Sequence, residues 1–241
     1  MKTKILLLLV SVSSFVSAQD TIPFPKIDSI KTHSQVFSLS PISKKVDKVN
    51  GLVFGVGHYQ NKRIEKQTIN GLNVDLNPVG LAIPMIIVFI PEMIQKGSFL
   101  KEVKSDTIVK VDIKFPRIQI NGLHLSTGCF FTNVSMNGLN ISLLNRFTKM
   151  NGVSITPIGT QAKVMDGFSF GIYNGFNENN GLSIGLVNES MNLKGIQFGI
   201  YNSANTVKGI QIGIFNISKK NGFQIGIWNV NNKRSMPFIN W

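Results

Sequence analysis

Gly195-Ile-Gln-Phe-Gly-Ile-Tyr-Asn202 is succeeded, 14 residues on, by Gly209-Ile-Gln-Ile-Gly-Ile-Phe-Asn216, with the same opening glycine, the same fifth-position glycine and the same closing amide. The phrase also stands at Gly167-Phe-Ser-Phe-Gly-Ile-Tyr-Asn174, Gly181-Leu-Ser-Ile-Gly-Leu-Val-Asn188 and Gly222-Phe-Gln-Ile-Gly-Ile-Trp-Asn229, the five starts being 14, 14, 14 and 13 residues apart. Repetition at a fixed short period marks an array in which each unit packs only against its neighbours, so the period decides the architecture before any local choice.

Upstream the phrase degenerates but keeps its opening glycine and its apolar second and fourth residues, at Gly152, Gly138, Gly122, Gly71 and Gly51. Within each copy the apolar residues alternate, as in Ile210, Ile212 and Ile214, which is the period of a strand. This alternation predicts Ile212 inside with Gln211 and His124 facing outward. The residue two before the glycine, Val49, Ile69, Ile120, Met136, Met150, Met165, Leu193 or Val207, is a second inward candidate. The Asn-Gly, Lys-Gly and Asp-Gly pairs predict one sharp corner, and the closing Asn, which tolerates left-handed backbone, predicts the other.

One strand plus one connector can build an antiparallel meander or barrel, or a β-solenoid in which each copy is a coil stacked parallel on the last, about 4.8 Å away. Only the solenoid turns identical residues into columns, and the expectation is an all-β solenoid of about 14-residue coils. Asn174, Asn188, Asn202, Asn216 and Asn229 would then form an amide ladder, with Gly171, Gly185, Gly199, Gly213 and Gly226 filling a position too tight for a side chain. About four buried apolar side chains per coil would contribute roughly 6–10 kcal/mol before ordering entropy is subtracted. Tyr173, Tyr201, Phe215 and Trp228, with Val187, fall at the seventh position and form a candidate contact strip.

The chain opens with Met-Lys-Thr-Lys, an apolar run and Val16-Ser17-Ala18, the plan of a secretory signal peptide over 1–18. An extended lead-in is expected over 19–50. Divergent repeats occupy 51–121, with an apolar capping segment from Val79 to Ile90 whose alternative reading is insertion at a membrane surface, and a charged insertion from Lys101 to Gln119. A regular array with a C-terminal cap fills 122–241. The formal net charge is +13, but the basic residues are scattered and export is expected, which argues against nucleic acid. Membrane association is compatible with both.

No chemistry is legible. His33, His58 and His124 stand in no ligand-spaced pair, the lone Cys129 lies among Gly128, Phe130 and Phe131, and the glycines precede strands rather than helices. No catalytic, metal or cofactor site is expected, and the chain reads as a non-enzyme.

From Gly122 to Asn229, and more loosely from Gly51 to Asn77, the copies resemble the surface-repeat proteins of Leptospira and Bacteroidota, which likewise read Gly-[apolar]-Gln-Ile-Gly-[apolar]-x-Asn. The resemblance implies an exported protein of the outer envelope with no established enzymatic role. Together with the leader and the aromatic strip, the expectation is a structural or adhesive module in the periplasm, outer membrane or cell surface, with envelope polysaccharide or another envelope protein as partner. An outer-membrane β-barrel is the competing expectation, prompted by the aromatic terminus Phe238, Ile239, Trp241.

Overall fold

The computed structural model describes residues 32–58, 66–78, 80, 118–128, 130, 132–220 and 222–241. The expected signal peptide, the apolar segment from 81 onward, the charged insertion up to 117 and Cys129 lie outside the described residues. Every described strand lies in one unit, within residues 31–241.

Among the described residues thirteen strands make one sheet in chain order: β1 (His33–Ser40), β2 (Val46–Gly55), β3 (Gln67–Asp75), β4 (Ile118–Ser126), β5 (Val134–Ser142), β6 (Leu144–Ile155), β7 (Gly159–Phe170), β8 (Tyr173–Asn179), β9 (Leu182–Leu193), β10 (Ile196–Val207), β11 (Ile210–Ser218), β12 (Phe223–Val230) and β13 (Ser235–Asn240). Every pairing from β1 to β12 is parallel. A parallel stack of coils is a β-solenoid; the antiparallel meander and the barrel, which need neighbours of opposite direction, are excluded. The lead-in contributes β1, so the stack begins before the first recognisable phrase.

Register follows the repeat. Gly51, Gly71, Gly122, Gly138, Gly152 and Gly167 are successive Cα partners, although 51 residues separate Gly71 from Gly122. These six glycines hold φ between 126° and 154°, a region closed to most side chains. The expected left-handed asparagine corner is absent: among the described residues only Phe238 outside glycine has positive φ, and the closing asparagines lie within regular strands.

Bends at Gly171–Ile172 and near Gly181 divide the coil into two arms. They alternate in opposite senses. On the arm preceding each glycine, the apolar residues point in: Val49, Ile69, Ile120, Met136, Met150, Met165 and Leu193 are fully buried and Val207 nearly so, while Arg146, Lys149 and Lys194 face water. On the arm following the glycine the expected phase is reversed. Gln197, Gln211 and Gln224 are fully buried, as are Asn73, His124, Asn140, Ser154, Ser169 and Ser183 in the same column, whereas Ile212 is half-buried and Ile214 is exposed. The physical reason is volume and bonding. Two arms of so short a coil leave little interior, and planar amides there can bond along the axis while satisfying facing carbonyls.

Among the described residues the expected four buried apolar side chains per coil are not reached: Ile42 to Phe176 form one continuous cluster with about two per coil, as Val134 with Met136 or Phe147 with Met150, and beyond it only Leu193, Ala204 and Val207 cluster, because the arm following the glycine turns its aliphatics outward. Asn179, fully buried in the column between Met165 and Leu193, separates the two. Antiparallel β13 covers the last coil, carrying Pro237 and the strained Phe238 (φ 67°).

Candidate functional site

The closing asparagines form a continuous internal ladder. Asn174 Nδ2 donates to Asn188 Oδ1 at 2.9 Å, Asn188 to Asn202 at 2.9 Å, Asn202 to Asn216 at 2.8 Å and Asn216 to Asn229 at 2.7 Å. The second hydrogen of each amide goes to the fourth-position carbonyl of the next coil, Ile184, Phe198, Ile212 or Ile225, at 2.9–3.1 Å. All five asparagines are fully buried. Asn229, with no following copy, turns its amide to the carbonyls of Gly226 at 3.1 Å and Met236 at 3.4 Å.

A second ladder, which the sequence reading misses because it places these residues outside, runs the other way. Gln224 Nε2 donates to Gln211 Oε1 and Gln211 Nε2 to Gln197 Oε1, both at 2.9 Å, and Gln197 crosses the interior to Ser190 Oγ at 3.1 Å. Gln224 Oε1 is buried without a donor, because the reversed β13 brings no further glutamine rung to supply one. A third series, Asn137 to Asn121 to Asn70 to Asn50, links the residues before the glycines at 2.7–2.8 Å nearer the surface.

The candidate contact strip is one column: Tyr173 pairs with Val187, Val187 with Tyr201, Tyr201 with Phe215 and Phe215 with Trp228. Phe215 and Trp228 are nearly half exposed, at 47% and 46%. Tyr173 and Tyr201 are partly buried, and the Tyr173 hydroxyl donates to Glu189 Oε2 at 2.9 Å. Burial, then the Glu189 carboxylate, push that hydroxyl above the ordinary tyrosine range.

His58 and His124, expected to be unrelated and the latter exposed, come together inside the stack. Asn73 joins them: its Oδ1 lies 3.0 Å from His58 Nε2, and its Nδ2 reaches His124 Nδ1 and Asp75 Oδ2, both at 2.8 Å. His58 Nε2 is 3.3 Å from Asp75 Oδ2, and Phe130 stacks on His124 with centroids 4.8 Å apart. Both imidazoles and the carboxylate are at most 1% exposed, so the cluster acts as another rung of the interior rather than as an open site.

Burial first, and His58 second, pull the His124 pKa down to about 3 from 6.5. Its folded form therefore binds fewer protons than the unfolded chain between those values, and stability present above pH 6.5 is lost as pH falls, at about 1.4 kcal/mol per pH unit. His124→Asn fits between Asn73 and Asn140 in the same column. From pH 6.5 to 4.5, urea midpoints should show wild type losing about 2 kcal/mol more than this variant; parallel losses would place the proton elsewhere.

No protein-family model matches the chain, and comparison with curated proteins and with solved structures yields no match.

Proposed function

We propose that this chain is an exported, non-catalytic repeat protein of the cell envelope, with a structural or adhesive role and envelope polysaccharide or a second envelope protein as its partner. The observation that carries this reading is the use of the repeat's functional groups. The amides that recur in the C-terminal copies, Asn174 to Asn229 and Gln197 to Gln224, bond coil to coil, leaving a stacked scaffold whose outward surface is free to meet a partner. The Met1–Ala18 leader pattern supports export, and the exposed Phe215 and Trp228 offer the aromatic contact that sugars and proteins accept.

Fractionation of cells making the full chain, with mass measurement of its N-terminus, tests the reading. A mature chain beginning at Gln19 and recovered outside the cytoplasm is expected. An uncleaved cytoplasmic protein would overturn it.

A further inference from the structure

The arm following each glycine turns its even positions to solvent. Across ten copies the second, fourth and sixth positions hold thirty residues, of which one, Thr127, is polar and none is charged. The structure leaves many of them bare: Phe198 is 52% exposed, Ile200 46%, Leu186 49%, Ile172 54% and Ile227 63%. Ten strands about 4.8 Å apart, each presenting about 13 Å of backbone, make a flat apolar face of about 600 Å². That is at or above the largest apolar patch of an ordinary monomer, which is itself often functional. The outward positions of the other arm hold Arg146, Lys149, Lys163 and Lys194, so the asymmetry belongs to one face and not to the whole surface.

We propose that this face lies on an anionic lipid surface, with the solenoid axis parallel to the membrane. Both long edges fit. At the glycine bend the column preceding the glycines holds Asn121, Asn137, Asn151 and Asp166 and, towards the C-terminal coils, exposed Lys194, 3.6 Å from Glu178, and exposed Lys208, whose cationic heads can reach phosphates while their stems cover apolar surface. At the opposite bend stand Tyr201, Phe215 and Trp228, amphipathic and aromatic side chains suited to the headgroup level. Charge chooses among occupants: the net charge of +13, reduced by two to +11 once Lys2 and Lys4 leave with residues 1–18, repels a second copy and attracts an anionic surface. Burial of an apolar face to the depth of the acyl boundary then holds the protein without any spanning segment.

Flotation with phosphatidylcholine vesicles, and with vesicles of about one-third phosphatidylglycerol, tests this on the mature chain. The anionic vesicles should carry the protein up, less so in high salt. Phe198→Glu with Ile200→Glu should cut binding at least tenfold, whereas Asn205→Glu on the other arm should leave it nearly unchanged. Should the double variant fail to fold, Trp241→Phe leaves Trp228 as the sole indole, and brominated lipids should quench it. Absence of flotation, absence of quenching, or a stable dimer that ignores vesicles would overturn the proposal. Export and vesicle binding are measured separately, so either can fail alone.

Discussion

Gly213→Ala is expected to collapse the C-terminal coils. A Cβ at this position would sit 2.2 Å from the carbonyl oxygen of Gly199 and 2.5 Å from Asn202 Nδ2. Neither can yield: the first belongs to the coil below, in register with Gly213, and the second is held by Asn216 Oδ1 and Ile212 O. Relief requires the coils to part, which breaks the asparagine ladder as well as the strand pairing. The expected loss is about 3 kcal/mol or more, roughly 6–12 °C in the melting of a unit this size. Gly175→Ala is the control, because its nearest obstruction is the tip of the Tyr173 ring, a side chain that can turn aside. Tryptophan fluorescence from Trp228 and Trp241 during thermal melts should separate the two variants; equal melting would mean that the glycine column is not held by space.

Asn202→Asp should make stability depend on pH in the sense opposite to wild type. The amide nitrogen of Asn202 points at two oxygens, Asn216 Oδ1 and Ile212 O. A carboxylate there would be buried, unpaired and set against lone pairs, so its folded pKa must rise above the unfolded value of about 3.9. A raised folded pKa gives stability that is present below about pH 4 and lost as pH rises through the folded value. Relative to wild type at the same pH, the urea midpoint should be close at about pH 4 and lower by about 3 kcal/mol or more at pH 7. Asn202→Ala should cost roughly 1–3 kcal/mol at either pH, by stranding Asn188 Nδ2 and the Ile212 carbonyl. Asn229→Ala should cost less, since that amide ends the ladder on two backbone carbonyls. Equal sensitivity at 202 and 229 would show that the asparagines act singly.

The parallel stack was legible because residues such as Asn202 and Gly199 recur at one spacing, and only parallel coils convert a spacing into columns. Which face of the arm turns inward was not, because alternation is symmetric: Ile212 in with Gln211 out has the same period as its reverse. A signal was present nonetheless. The third position never holds Lys, Arg, Asp or Glu in ten copies, which is odd for a solvent-facing column, whereas the water-facing side of the other arm holds Arg146, Lys149, Lys163, Glu178 and Lys194. Hydrophobic burial outranks amide stacking in most interiors, but in a coil too narrow for large aliphatics the amides win. The meeting of His58, Asp75 and His124 was hidden for another reason: 51 residues separate Asn73 from His124, its partner in β4, and no sequence spacing reports a loop that long.

A stack of identical coils is a template for its own polymerisation, since whatever fits one rung fits the next molecule's first rung equally well. Here β13 acts as a terminator. It runs against the grain, and it is short, with Pro237 lacking a donor and Phe238 twisted out of the strand conformation. Filament growth by head-to-tail addition needs two compatible ends on every molecule. An edge closed by such a strand offers no matching rung for a further coil, so the regularity that builds the stack is not carried past β13.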